Sequence, residues 1–102
     1  MREIDVTELE AVLATGAPLV DVRESDEFAE ARVPGAVSIP LSEFVSRVDE
    51  VPAEGAVYLI CAAGGRSAQA AEYLVARGVD AVNVAGGTMA WLQSGRVVES
   101  GN

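Results

Sequence analysis

The chain has 102 residues, half of them hydrophobic, which suits a single domain over residues 1–102 with one modest core. Sixteen acidic residues stand against seven arginines, and the absence of lysine and histidine leaves a formal net charge of −9. Nucleic acid is therefore not an expected partner, because phosphate binding needs clustered basic residues. No segment approaches the roughly 18 apolar residues of a spanning helix, so no membrane association is expected either.

The single cysteine and the missing histidine restrict the chemistry further. Without histidine there is no Cys-His dyad, no Ser-His-Asp triad and no imidazole metal ligand, so we expect no metal, and no other cofactor. One cysteine cannot close an internal disulfide, and a reactive thiol survives best in a reducing compartment. We therefore expect a cytoplasmic protein.

Hydrophobic periodicity and turn residues divide the chain into alternating short helices and strands. Five helices are predicted in chain order. The first has a capping box over Thr7–Glu10 and a stop at Gly16, and the second is capped by Ser25 and runs to Ala31. The other three start at Ser42, cover Ser67–Arg77 and lie around Met89–Leu92. The predicted strands are Leu19–Val22, Ala36–Ile39, Val57–Ile60 and Val82–Val84. This alternation predicts a parallel sheet covered by helices on both faces, with sites at the carboxyl ends of its strands. The last residues are expected to be frayed.

Cys61 lies at the end of the predicted strand Val57–Ile60, and a glycine-containing loop separates it from the next helix. A loop of this kind collects several backbone N–H groups around the sulfur, and Arg66 adds a positive charge nearby. Such surroundings lower a cysteine pKa from about 8.5 to roughly 3.5–7.5. A cysteine that only fills the core needs neither Gly64-Gly65 nor a charged neighbour, so we interpret Cys61 as a nucleophile and Arg66 as its cationic partner.

Other polar residues near the predicted strand ends have mainly structural interpretations. Asp21 and Arg23 either contact substrate or, as we favour, form a structural ion pair that braces the loop. Ser67 is predicted to cap its helix, and Trp91 is predicted to pack in the core. We expect the acidic cluster to be a solvated face, with docking of a basic partner as the alternative. Its members are Glu24, Asp26, Glu27 and Glu30.

Four motifs in this order and spacing resemble those of single-domain rhodaneses, a family of sulfurtransferases. They are Asp21-Val22-Arg23 with Glu27-Phe28, Val33-Pro34-Gly35-Ala36 with Ile39-Pro40, Cys61 to Ser67, and Gly86-Gly87 with Ala90-Trp91. The resemblance runs from about Ile4 to Gly95. It implies an α/β fold with three layers, α/β/α, around a central five-stranded parallel sheet.

The resemblance also implies a function, the transfer of sulfane sulfur from a donor such as thiosulfate to an acceptor through a persulfide on Cys61. Backbone amides of the loop would cradle the transferred sulfur and its attached anion. The substrate-binding residues would be Ala62, Ala63, Gly64, Gly65, Arg66 and Ser67. The expected partners are small sulfur-containing anions or a persulfide donor, and cyanide, a thiol or a protein as acceptor. The oligomeric state is left open.

Two alternatives remain beside this hypothesis. A non-catalytic module of the same fold would dock a partner, but it would not need the cysteine, the glycines and the arginine together. A cysteine phosphatase or arsenate reductase places its arginine six positions after the nucleophile, whereas Arg66 follows Cys61 by five.

The chain also departs from the family pattern at two points. Arg32 stands where many relatives have histidine, which puts any function of an imidazole there in doubt. The side chains of the loop before Arg66 are uncharged, so we expect only weak attraction for a dianion such as thiosulfate.

Overall fold

A five-stranded parallel sheet forms the centre of the computed structural model, which describes residues 1–101. The strands are β1 (Arg2–Ile4), β2 (Leu19–Asp21), β3 (Val37–Ser38), β4 (Val57–Ile60) and β5 (Ala81–Val84). The helices are α1 (Val6–Leu13), α2 (Ser25–Glu30), α3 (Leu41–Phe44), α4 (Gly65–Ala76) and α5 (Gly87–Gln93). The spatial order of the strands is β1-β5-β4-β2-β3, so β4 lies in the middle. Asn102, the last residue of the predicted domain, lies outside the described residues.

Helices cover both faces of the sheet, and successive residues of β4 belong to two different hydrophobic clusters. The cluster on the α3 and α4 side includes Val57, Leu59, Phe44, Ala71 and Leu74. The cluster on the α1 and α5 side includes Tyr58, Ile60, Leu9 and Trp91. The expected three-layer α/β/α fold with its five-stranded parallel sheet is therefore confirmed. Trp91 packs in the core as predicted.

The helix starts differ from the predicted ones by one to three residues. The N-caps are Asp5, Glu24 and Gly64, where the sequence predicts Thr7, Ser25 and Ser67. At the first of these, the Asp5 carboxylate accepts the Glu8 N–H at 2.9 Å. Several consecutive residues at each start are able to cap, and the backbone path selects among them. The predicted caps are wrong for this reason.

The two ends of the chain are more ordered than the sequence pattern indicates. Strand β1, which the pattern does not predict, pairs with β5 and places Arg2 opposite Val82. The C-terminal segment lies beside α2, because Arg32 and Glu99 exchange backbone hydrogen bonds of 2.8 and 2.9 Å. The Arg32 guanidinium also donates to the Gly101 carbonyl at 2.7 Å. The expected fraying of the last residues is therefore wrong for residues 99–101, and Arg32 has a structural role.

The carboxyl end of β2 carries a buried ion pair. The Asp21 side chain is fully buried and that of Arg23 is 7% exposed, with 2.8 Å between Arg23 Nη2 and Asp21 Oδ2. Two further guanidinium hydrogens are also used, since Arg23 donates to the carbonyls of Ala31 at 2.7 Å and Glu27 at 3.2 Å. The predicted ion pair is confirmed, but the prediction that it braces the loop is wrong: it fixes the end of α2 to the sheet, because the other donors of Arg23 face carbonyls of α2 and its C-cap.

We expect Asp21→Asn to destabilise the fold strongly, because it leaves the buried Arg23 guanidinium without a counter-charge. The expected loss is about 3–5 kcal/mol in the free energy of unfolding, measured by urea denaturation. Arg2→Gln is the control, since it breaks an exposed ion pair with Asp80 and should not move the midpoint measurably. An Asp21→Asn variant that unfolds at the wild-type midpoint would contradict this role.

Candidate active site

The carboxyl ends of β4 and β5 meet at one edge of the sheet, and this edge carries the cysteine. Cys61 follows β4 directly, and only 1% of its surface is exposed. The chain then turns into α4 at Gly65, with Gly64 in a left-handed conformation at φ 112°. A residue with a Cβ would be strained there, so glycine permits the tight path of the loop.

Backbone and hydroxyl donors surround the Cys61 sulfur. The Gly64 N–H donates to Sγ at 3.1 Å, and Ser67 Oγ lies 3.3 Å from Sγ. Burial raises the pKa of the Cys61 thiol. The Ser67 hydroxyl and the amides of Ser67, Gly64 and Ala63 act in the opposite direction and prevail, so the pKa lies below its ordinary value. The thiolate is thus stabilised without histidine.

A chain of hydrogen-bonded polar groups, of which Ser67 and Asn83 are buried, supports Ser67. Its Oγ lies 2.6 Å from Asn83 Oδ1, and Asn83 Nδ2 donates to Glu3 Oε2 at 2.8 Å and to the Gly64 carbonyl at 3.2 Å. These two acceptors fix the Asn83 amide, so that Oδ1 faces Ser67 as an acceptor. Ser67 has a single hydroxyl proton, so it donates either to Asn83 Oδ1 or to Cys61 Sγ, and not to both at once.

These contacts include residues that the sequence analysis does not identify. Ser67 is buried in the first turn of α4, and its hydroxyl bonds Asn83 where the sequence predicts a helix cap. Asn83 is the one sequence signal that could have indicated this network. It is the polar residue of the otherwise apolar and fully buried strand β5, and a buried amide needs hydrogen-bonding partners. Glu3 lies on an edge strand of three residues and carries no comparable signal.

Helix α5 holds the loop from the other side. The Thr88 N–H donates to the Cys61 carbonyl at 2.9 Å, and the Met89 N–H donates to the Ala62 carbonyl at 3.0 Å. Gly87, at φ 58°, lies so close to the loop that a Cβ would meet the Cys61 carbonyl oxygen and approach Ala62 O to 2.6 Å. Gly87 is therefore needed for the two backbones to approach each other.

Arg66, in the first turn of α4, forms an ion pair with Glu27 of α2. Its Nη1 lies 2.7 Å from Glu27 Oε1 and its Nη2 lies 3.0 Å from Oε2, and each side chain is 35% exposed. The hydrogen bonds from Arg66 lower the pKa of Glu27 to about 2. Glu27 is thus an ion-pair partner, where the sequence predicts a solvated face. The Glu27 carboxylate, and to a lesser degree the charges of Cys61 and Asp21, raise the pKa of Arg66.

The predicted site residues fall into two groups. Residues 61–67 form the loop after β4 and the first turn of α4, in which Cys61 and Ser67 are buried while Ala63 and Gly65 are exposed. The hydrogen bonds of Asp21 and Arg23 go to each other and to the end of α2. These two residues brace α2, and the turn itself is held by α5 and Asn83.

Residues 1–101 contain neither a metal-binding cluster nor a membrane-spanning helix. No group of three or more His, Cys, Asp or Glu side chains is arranged to hold a metal ion in that part of the chain. None of the helices described there has the length and apolar character needed to cross a bilayer.

Alkylation of Cys61 by iodoacetamide should follow a pH midpoint below that of an ordinary cysteine, because the donors around Sγ stabilise the thiolate. Ser67→Ala should move this midpoint upward, since it removes a donor that the thiolate uses. Ser46→Ala removes an exposed hydroxyl bound to the Glu43 carbonyl and serves as the control. A lower midpoint in Ser67→Ala would show that the hydroxyl stabilises the thiol instead.

Gly87→Ala should disturb the loop, because the new Cβ collides with its carbonyl groups. Gly95→Ala is a matched control, since Gly95 has a similar φ of 79° but no atom within 4 Å of a Cβ. We expect Gly87→Ala to be less stable than this control by about 1–3 kcal/mol in denaturant unfolding, and to shift the Cys61 midpoint upward. Equal stabilities would mean that α5 tolerates the displacement.

Known proteins with similar sequences indicate a single family. The family model for the rhodanese-like domain matches residues 5–94. A protein of Allochromatium vinosum named sulfurtransferase is 36% identical, over 93% of this chain and 92% of that protein. A putative sulfurtransferase of Bacillus subtilis, YtwF, is 38% identical over 72% of this chain and 71% of that protein.

Solved structures show the same relationship. The rhodanese-like domain protein of Staphylococcus aureus superposes with a TM-score of 0.88 at 36% identity, and all of both chains is covered. A rhodanese-related protein of Thermoplasma volcanium gives a TM-score of 0.91 at 30% identity, covering 97% of this chain and 98% of that one. The arrangement of the sheet, the sequence match and these superpositions agree, and the chain belongs to the rhodanese-like domain family.

Proposed function

We propose that the protein is a sulfurtransferase that carries sulfane sulfur as a persulfide on Cys61. The observation that carries this proposal is the hydrogen bond from the Gly64 amide to the Cys61 sulfur, within a turn whose other amides lower the pKa of the same thiol. Sulfurtransferase is also the name given to similar proteins from two bacteria. A thiol held in this way is prepared to act as an anionic nucleophile.

The first step is the attack of the Cys61 thiolate on the outer sulfur of a donor such as thiosulfate. A bond forms between Sγ and that sulfur, the sulfur–sulfur bond of the donor breaks, and sulfite leaves with the electron pair. Sulfite leaves as a stable anion, so the step needs no acid catalyst and no histidine. The amides of residues 62–66 would stabilise the negative charge of the persulfide, with further charge from Arg66.

The second step returns Cys61 to its starting state. An acceptor such as cyanide or a thiol attacks the outer sulfur of the persulfide, and the electron pair of the broken bond returns to Sγ. The two half-reactions use the same thiol in turn, which gives ping-pong kinetics. We propose a cytoplasmic location, because a reducing compartment keeps the single cysteine free between turnovers.

Mass spectrometry after incubation with a sulfane donor tests the function directly. We expect the protein to gain one sulfur atom, to lose it when cyanide is added, and to gain none in Cys61→Ser. Ser67→Ala is the control for folding around the site and should still take up sulfur, though more slowly at neutral pH. Absence of the adduct with every sulfane donor would favour the non-catalytic docking module.

The same variants distinguish the phosphatase alternative. A cysteine phosphatase would hydrolyse an aryl phosphate and lose this activity in Cys61→Ser. We expect no turnover of that substrate, because the turn between Cys61 and Arg66 is one residue shorter than a phosphate-binding loop of the dual-specificity type. Measurable hydrolysis that depends on Cys61 would overturn this expectation.

A further inference from the structure

The Arg66 guanidinium, beside the loop that follows Cys61, is already bound to a carboxylate, that of Glu27. Both terminal nitrogens of Arg66 face the carboxylate of Glu27, at 2.7 and 3.0 Å. This two-point geometry is the one in which arginine binds a carboxylate or another oxyanion most strongly. A sulfur donor with an oxyanion group would need the same two N–H groups, so Glu27 occupies the position that such a donor would use.

No other arginine near the site in the described chain can replace Arg66 as a binding group for a dianionic donor. Within residues 1–101, six of the seven arginines have a carboxylate partner. Arg23, the other arginine near the site, is buried, its charge is balanced by Asp21, and it also donates to two carbonyl groups. Arg77 is the exception among the described arginines, but it lies at the far end of α4, over the ring of Tyr73.

The surface next to the ion pair is acidic and partly apolar. Arg23, Glu27, Glu30, Ala31 and Leu92 line a hollow of about 200 Å³. Glu30 is exposed and has no hydrogen-bonding partner among the described residues, so it adds a negative charge to this hollow. A donor that approaches along this side meets two carboxylates, and the one arginine in reach of the loop is neutralised.

We infer that Glu27 is a specificity-determining residue, which withholds Arg66 from oxyanions and so directs the site toward sulfur donors whose leaving group carries little negative charge. This inference rests on the proposed sulfurtransferase function and names its substrate class. Thiosulfate, whose leaving group is the sulfite dianion, is then a poor donor. A donor that releases a monoanion or a thiol avoids the cost of displacing Glu27 or of approaching it.

Two small donors with the same reacting bond provide the test. Thiosulfate and the methanethiosulfonate anion both present a sulfane sulfur on a sulfonyl group, but the second carries one charge fewer. Attack by the Cys61 thiolate gives the same persulfide in both cases, with sulfite or methanesulfinate taking the electron pair. The measured quantity is the second-order rate constant of persulfide formation for each donor, and the ratio of the two removes effects common to both.

Glu27→Gln should raise the ratio of thiosulfate to methanethiosulfonate rate constants by about 3- to 10-fold, since it breaks a partly exposed ion pair and removes one charge. Glutamine can still accept the Glu24 N–H, so the start of α2 is preserved. Glu27→Met is a second variant of similar length, should the first fail to fold. Glu30→Gln is the matched control, because it removes the same charge from the same hollow without releasing Arg66.

The outcomes separate the inference from the function on which it rests. Two results together support the inference. The ratio rises in Glu27→Gln and rises less in Glu30→Gln, and it no longer responds to Glu27→Gln when Arg66 is also changed to Gln. An unchanged ratio in Glu27→Gln, or an equal rise in Glu30→Gln, overturns it while persulfide formation itself stands. If neither donor nor any other sulfane donor modifies Cys61, the proposed function fails and the inference falls with it.

Discussion

Two hydrogen bonds between α5 and the loop carbonyls set the direction of the Ala62 and Ala63 amides, the first two after Cys61. In a trans peptide unit the C=O and the N–H point in opposite directions. The carbonyls of Cys61 and Ala62 face α5, where Thr88 and Met89 donate to them. The N–H groups of the same peptide units must therefore face away from α5, and the Ala63 amide contributes to lowering the Cys61 pKa. The site depends on this contact between two backbones.

Fixed dipoles have a different pH dependence from a titrating partner. In a Cys-His pair the cation that stabilises the thiolate is itself lost at high pH, whereas peptide dipoles keep their charge distribution at all pH values. The chain has no histidine and no lysine, and its arginines stay protonated. As the pH rises, the fraction of Cys61 in the thiolate form therefore increases without the loss of a stabilising histidine or lysine cation. Burial opposes ionisation here, so the amides must exceed that cost, and a displaced loop would leave a buried neutral thiol.

Local signals in the sequence predict the strands of the sheet centre and the long helix, but they do not determine which residue caps a helix. The apolar run of β4, the glycines after it and the long helix α4 together indicate a thiol at a strand end, and the alternation of elements indicates the parallel sheet. Features that depend on contacts between distant residues were missed. The Arg66–Glu27 pair joins residues 39 positions apart, and the Asn83–Glu3 bond joins residues 80 positions apart. Ser67 was assigned to a cap because serine near a helix start is often one, but a left-handed Gly64 starts the helix earlier.

The order of the strands explains why these distant residues meet at Cys61. Strand β4 is central, with β5 on one side and β2 on the other, and parallel strands bring all three carboxyl ends to one edge. The segment after β5 becomes α5, whose backbone aligns the loop, and the segment after β2 becomes α2, which presents Glu27 to Arg66. The outer strand β1 then adds Glu3, which fixes Asn83 and through it Ser67. A short loop with uncharged side chains before Arg66 can therefore be rigid, because the groups that hold it come from α5, β5 and β1, while Glu27 of α2 balances Arg66 and the loop's own amides stabilise the thiolate.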